Sequence, residues 1–447
     1  MRMVCGLHIA WLLASVCRAD TVDDFVRAGM KASHIPGVSL AVVQKGRIVK
    51  AAGYGVANLE WSVPASENTV YEIGSISKQF AAEAILLLRE DGKLNLDEPL
   101  SKYIAHTPAA WQRITIRHVL NHTAGLADFD SGKIGFSYRR EYSASEFVEL
   151  LGAQPLAFQP GERWNYTNAF PLIGIVVERA AGKPYMDFVT ERIFKKLGLA
   201  SARFKVQEEV VSQRAAGYLW KDGVYRHGEP LRPAIIAPNG GVMMSAVDFA
   251  KWDMAMTSGK ILSRASLDEM VKPARLNNGL TMSHGLGWFV DTFAGHRFGA
   301  HWGSTVTGNS AVIRRYDEGL TVIMLANLDD GAIGIDAISK RIANHYLPGT
   351  AIQGLAVQKD SNPGETARIR KTIEEGVGVI AERVASAARA VSSLEPLGEE
   401  NVGSSHFMAD PAVRKLRRYR AVTTQGRRYF TVRLGEDGKV LGALVEE

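Results

Sequence analysis

The chain has 447 residues, 46% of them hydrophobic and 22% charged, values ordinary for globular proteins and sufficient for about two or three domains. A formal net charge of +6 is too small a surplus over this length to imply a polyanionic partner, so nucleic-acid binding is not expected. Cys5 and Cys17 are the only cysteines, and both lie near the N-terminus, which leaves the rest of the chain without thiol catalysis, disulfides or cysteine-ligated metal.

Arg2 precedes an apolar stretch from Met3 to Val16, and Cys17-Arg18-Ala19 places small residues three and one positions before a possible cut. Residues 1–19 are therefore expected to be a secretory signal peptide. The apolar run is shorter than the roughly 20 residues of a membrane span, so the mature chain, periplasmic or secreted, is expected to carry none. Loss of Arg2 and Arg18 would lower the net charge to +4. Lipidation at Cys17 is disfavoured by bulky Val16.

Two apolar runs, Val38 to Val43 and Arg47 to Ala52, flank Gln44-Lys45-Gly46 and predict a β-hairpin. From Phe80 to about Thr257 the period is mainly helical: Ala82 to Glu90 stops at Asp91-Gly92, and Ile116 to His122 stops near Gly125. Strand character returns at Leu286 to Val290, His296 to His301, Ala311 to Arg314 and Thr321 to Leu325, the last two joined by Asp317-Glu318-Gly319. Strands at both ends with helices between them predict an α/β (α+β) unit over 20–350, its sheet built from both termini around a helical subdomain at about 80–260. A linker is expected over 351–365, around Ser361-Asn362-Pro363-Gly364. Beyond it, 366–447 reads as a small module with a helix at Ile369 to Ala388 and a terminal hairpin, Phe430 to Leu434 with Val440 to Leu444.

Ser75 and Lys78 stand three apart at the head of the apolar run through Leu88, a spacing that puts a hydroxyl and an amine on one helical face. A serine needs a nearby base to attack a carbonyl carbon, and a helix start offers free backbone N–H groups to the charge that develops. An isolated Ser-x-x-Lys is expected about once or twice by chance in a chain this long. Its company matters more: Tyr166-Thr167-Asn168 is the only Tyr-x-Asn, and His301-Trp302-Gly303-Ser304 holds the only His-x-Gly. Lys78 and Tyr166 are both candidate bases, working as one coupled titrating pair.

With these three motifs in order, the sequence resembles the serine β-lactamase-like superfamily: class C β-lactamases, D-alanyl-D-alanine carboxypeptidases, D-aminopeptidases and related esterases. The likeness runs from about Asp23 to Ala326 and includes Gly53-Tyr54-Gly55, the segment Ile114 to Leu126, Gly240 to Ser245 and Gly285 to Trp288. It implies a β-lactamase-like fold, a mainly antiparallel sheet flanked by helices with an all-helical subdomain beside it. It further implies Ser75 as nucleophile, Lys78 and Tyr166 as base and acid, and Asn168 bonded to Lys78 and to the substrate amide. Backbone N–H groups of Ser75 and Ser304 would form the oxyanion site, with Gly303 letting its strand approach the substrate. No metal or organic cofactor is implied.

The third motif departs from the Lys-Thr-Gly usual in β-lactamases, where lysine and threonine bind a carboxylate. Here His301 and Trp302 stand in those places, weakening carboxylate recognition. A peptidase or esterase on small amide or ester substrates, such as D-amino-acid peptides or esters, is therefore expected ahead of a β-lactamase. The rivals are a penicillin-binding sensor that acylates without turnover, and a chain whose business lies in partner binding by 366–447. His118 and His122, four apart, are expected to serve packing rather than zinc, since no glutamate follows His118. Trp164 and Trp288 are expected in the core or a pocket wall, and the basic run Arg414 to Arg420 on a solvated face. Oligomeric state is left open by the sequence.

Overall fold

The computed structural model describes residues 21–132, 134–206, 209–228, 234–293, 295–329, 333–350, 354–375, 391–401, 413–423 and 426–446. The expected signal peptide at 1–19 lies outside the described residues. Seven strands form one antiparallel sheet in the order Phe289–Phe293, His296–Thr305, Gly308–Arg315, Leu320–Ala326, Gly37–Gln44, Arg47–Asn58, Val63–Pro64. The expected meeting of the two termini is its central pairing, with Val38 opposite Ala326 and Gln44 opposite Leu320. These strands are apolar at successive positions because both sheet faces are covered. Val38, Leu40, Val42, Val322 and Met324 join the core against helices Thr21–Ala32 and Ile333–Tyr346; Ala41, Val43, Ile323 and Leu325 join the larger core that holds Phe80, Ile85 and Trp252.

Between the two halves of the sheet the chain runs through helices, among them Ser77–Glu90, Ala144–Gly152, Pro171–Ala181 and Ala246–Thr257. Helix Ser77–Glu90 starts before the predicted Ala82 and is buried at every residue from Ser77 to Leu88, the signature of a helix surrounded by core. The helix after Thr115 is shorter than predicted, ending at Leu120, because His122 turns into the left-handed region at φ 60°. His118 and His122 therefore share no helical face. His118 instead closes a capping box, its Nδ1 accepting from Thr115 N at 3.2 Å while Thr115 Oγ1 accepts from His118 N at 3.3 Å. Short strands at Arg203–Phe204, Tyr218–Lys221, Val224–His227 and Val242–Ser245 interrupt the helical span. The last of these pairs with Val70–Glu72 and thereby aims the chain into the site.

The C-terminal part carries helix Pro363–Glu375 packed on an antiparallel sheet of Val391–Asn401, Lys415–Thr423, Gly426–Leu434 and Val440–Glu446, around Ile369, Ile373, Tyr419, Phe430 and Val432. Two expectations are corrected here. Ser361-Asn362-Pro363-Gly364 is a helix start: Asn362 Oδ1 accepts from Glu365 N at 3.1 Å and proline takes the first helical position, where its missing N–H costs nothing. The basic run is no solvated face. Arg417 and Arg418 are 2% and 3% exposed, and Arg417 lies within 3.5 Å of carboxylate oxygens of Asp360, Glu365 and Glu399, which make its burial tolerable. The Arg418 guanidinium covers the Phe293 ring at 4.3 Å, so this module touches the edge strand of the main sheet.

One buried acid in the core gives a stability prediction. Glu83 sits on the buried helix, its Oε2 accepting from Trp252 Nε1 at 2.7 Å, and burial pushes its carboxyl up to about 8. A carboxyl whose folded pKa is raised stabilises the fold fully below its unfolded value, and that contribution is lost as pH rises through the folded one. Glu83→Gln keeps an acceptor for Trp252 and removes the titration. Thermal melts between pH 5 and about 9 should therefore fall less steeply with pH in this variant than in the parent; parallel slopes would contradict the assignment.

Candidate active site

Strand Val70–Glu72 leads into Ile73, whose N–H donates to Val242 O at 3.0 Å, and Val242 N in turn donates to Ser77 Oγ at 3.1 Å. These bonds fix the approach to a single 3-10 turn, Gly74–Ile76, that runs straight into helix Ser77–Glu90. Gly74 makes the bend at φ 52°, and a Cβ there would stand 2.9 Å from Ser304 N, so the turn lies directly against the strand carrying the third motif. Ser75 is thus on the 3-10 turn and Lys78 in the first turn of the helix, and three-residue spacing aligns them.

Lys78 has no solvent exposure. Its Nζ donates to Ser75 Oγ at 2.9 Å, to Asn168 Oδ1 at 3.3 Å and to the Asn239 carbonyl at 3.3 Å. Asn239 also donates from Nδ2 to Asn168 Oδ1 at 3.2 Å. Two of the three acceptors are carbonyl oxygens that can only accept; Ser75 Oγ can also donate. A deprotonated Lys78 can therefore keep both carbonyl bonds while its lone pair receives the Ser75 proton. Burial pulls the Lys78 amine down to about 7, against the opposing charges of Asp128 and Asp130. Burial raises the pKa of the Tyr166 hydroxyl, with Asp128 adding to the rise and the Ser75 hydroxyl reducing it. The phenol is thus protonated where the amine is half neutral, an asymmetry that favours Lys78 as base and Tyr166 as acid.

His301 is 1% exposed and bonds through Nδ1 to Trp302 O at 2.7 Å. Burial, with Lys78 and His284 nearby, holds its pKa well below the usual histidine range, so it is neutral. Ser304 Oγ donates to Asp329 Oδ1 at 2.9 Å and Trp302 Nε1 to Asp336 Oδ1 at 2.8 Å. Packing gives Gly303 a structural reason of its own. A Cβ there would come within 2.0 Å of the Ile73 carbonyl oxygen, the acceptor of Ser310 Oγ at 2.7 Å, so glycine is required for the strand to pack on the turn that carries Ser75.

All seven predicted residues lie around one point of the fold, linked through Lys78, Ser75 and the Gly74 turn. Sequence reasoning missed Asn239, which the short helix Ala237–Gly240 delivers, and Asp128, whose Oδ1 accepts from Asn168 N at 3.3 Å. Each sits within a few residues of a segment that carried the resemblance, Gly240 to Ser245 and Ile114 to Leu126, and that proximity was the available signal. Among the described residues, no group of three or more metal-ligating side chains is assembled, and no helix is long and apolar enough to cross a membrane.

The profile of the family described as Beta-lactamase matches residues 22–343, well over half of the chain. The chain belongs to the Beta-lactamase family. Among its relatives, penicillin-binding protein 4* of Bacillus subtilis (strain 168) is 29% identical over 335 residues, covering 70% of this chain and 72% of that one. The D-amino acid amidase of Ochrobactrum anthropi SV3, solved with L-phenylalanine amide, superposes with a TM-score of 0.63 at 24% identity, over 73% of this chain and all of that one. An octameric penicillin-binding protein homologue from Pyrococcus abyssi superposes with a TM-score of 0.62 at 21% identity, over 96% of both chains. At these identities the two structures establish the β-lactamase-like fold.

The electrostatics predict a pH profile measurable without a substrate. Labelling of Ser75 by a fluorophosphonate should speed up as pH rises through about 7, where Lys78 loses its proton, and then level off. In Asp128→Asn a charge that favours the ammonium is gone, so the midpoint should move down by up to about one pH unit. A flat profile, or a midpoint near that of free lysine, would refute the role of the buried amine.

Proposed function

We propose that this protein is an exported serine hydrolase that forms an acyl-enzyme on small amide or ester substrates, D-amino-acid peptides or esters foremost. The reading rests above all on the buried Lys78 amine, 2.9 Å from a serine hydroxyl and held by two carbonyl acceptors. In this reading Ser75 Oγ attacks the acyl carbon as its proton passes to Lys78. Backbone N–H groups of Ser75 and Ser304 receive the oxyanion, each such donor being worth roughly 3–4 kcal/mol. Tyr166 protonates the leaving group, and water then releases the acyl group from Ser75. Asn168 holds the amine and meets the substrate amide.

Substrate preference follows from the third motif. A neutral His301 supplies no charge for a carboxylate, and the Ser304 hydroxyl is already given to Asp329. This favours substrates bound without a carboxylate at that end, in line with the amidase named among the structural neighbours. Export is supported by the apolar segment Met3 to Val16 ahead of Cys17-Arg18-Ala19.

Purified protein should turn over a p-nitrophenyl butyrate ester and a D-alanine p-nitroanilide continuously, both faster than a chromogenic cephalosporin. Ser75→Ala should lower these rates by about 10⁴-fold or more, and Lys78→Ala by about 10²–10⁴-fold. Rapid turnover of the cephalosporin alone would overturn the preference. Release of a single equivalent followed by silence would make the protein a sensor.

A further inference from the structure

We infer that His122 is the positioning residue of Tyr166, a claim that rests on the acid role proposed above. Three contacts from one residue grip three consecutive residues. The His122 carbonyl accepts from Asn165 N at 3.0 Å, its Nδ1 accepts from Thr167 N at 3.2 Å, and its ring stacks on the Tyr166 ring at 4.4 Å and 27°. The phenol ring also lies nearly parallel to the Phe289 ring, at 6.0 Å and 10°.

This grip requires an unusual backbone and a particular tautomer. His122 lies at φ 60°, a conformation a β-carbon disfavours and that persists only where the surroundings impose it. In that conformation the chain leaves the helix at Leu120, and the imidazole lies buried at 2% exposure between the Tyr166, Phe170 and His284 rings. An Nδ1 that accepts must belong to a neutral ring with its proton on Nε2. Burial, together with Lys78, His284 and His301 facing it, holds the ring in that form. Nε2 has no hydrogen-bond partner among the described residues, so the ring's hydrogen bonding is through Nδ1 to the tyrosine loop. His122, expected to serve packing, is in this inference a positioning residue as well.

The consequence is selective. Acylation by an amide forms the Ser75 Oγ–carbon bond and breaks the carbon–nitrogen bond; the Ser75 proton goes to Lys78, and the leaving nitrogen takes the phenol proton of Tyr166. Lys78 returns its proton to Tyr166 as the cycle closes. A p-nitrophenolate leaves as an anion and needs no such proton. A displaced phenol should therefore slow amides and spare activated esters.

The test compares D-alanine p-nitroanilide with D-alanine p-nitrophenyl ester in the parent, His122→Asn, His122→Phe and Tyr166→Phe. Asparagine tolerates the left-handed backbone and can still accept from Thr167 N, but it removes the ring. In His122→Asn kcat for the anilide should fall by about 10–100-fold, within what a general acid contributes, while kcat for the ester and both KM values change little. His122→Phe keeps a ring and loses the acceptor, and a smaller loss, still confined to the anilide, is expected. Equal losses on both substrates would overturn the inference, since a general loosening of the fold would do that. If Tyr166→Phe itself spares the anilide, the acid role of Tyr166 fails; a crystal structure of His122→Asn then decides the positioning claim, supporting it if the hydroxyl has left Ser75 and overturning it if the hydroxyl remains.

Discussion

An amine sealed from water is the constraint on which this site depends. Taking a lysine out of solvent is costly unless each of its donors is met, and in return it brings the amine near neutrality, where it can act as a base. Lys78 meets that requirement with acceptors from three separate parts of the chain: Ser75 one turn earlier, Asn168 before helix Pro171–Ala181, and Asn239 in the short helix Ala237–Gly240. Each acceptor is held by something else. Asn168 N donates to Asp128, its Oδ1 accepts from Asn239 Nδ2, and the helix bearing Lys78 is buried along nearly its whole length. The polar set is therefore interlocked, and loss of one member leaves the others with unmet bonds in a dry place.

A second link ties this set to the sheet. The carbonyl of Ile73, last residue before the turn, accepts from Ser310 Oγ, and Gly303 on the neighbouring strand stays bare so that the same carbonyl fits against it. Gly303 and Ser310 are register partners across the two strands. One oxygen thus aligns the turn that carries Ser75 with the strand proposed to line the substrate, and the close approach of Gly74 to Ser304 N follows from that docking. The separation between Ser75 and the third motif is set by backbone packing, which is stiffer than any side-chain contact could be.

Much of this was legible because it is local or ordered. Alternation and turn residues announce the central strands, and the Ser75–Lys78 spacing needs only a helix to be meaningful. Less legible was whatever depends on the partners a residue finds in three dimensions. Arg417 and Arg418 look like solvent-facing charge in a run of basic residues, yet carboxylates of distant segments make Arg417 an interior residue. Pro363 and Gly364 punctuate a linker or a helix start equally well, and only the cap bond of Asn362 separates the two. His122 suggested packing because no glutamate follows His118 to make the zinc pattern; the left-handed turn that brings it against Tyr166 has no signature in a histidine.

The third motif shows how burial changes the meaning of a residue type. A histidine where a β-lactamase carries lysine suggests a partial positive charge, available at mildly acid pH. In this fold the ring is buried beside an amine that repels a second cation, and its Nδ1 is engaged with the following carbonyl. Acidifying the medium does not restore a carboxylate reader, because Lys78 takes up its proton near 7, long before His301 would, and the ammonium pushes the imidazole lower still. Asp329, on the short strand Leu328–Asp329, is bonded to Ser304 and adds negative charge beside that motif. In the proposed reading the substrate thus meets a neutral imidazole and a hydroxyl already given to Asp329, a balance that would favour an uncharged or cationic acyl donor over an anionic one.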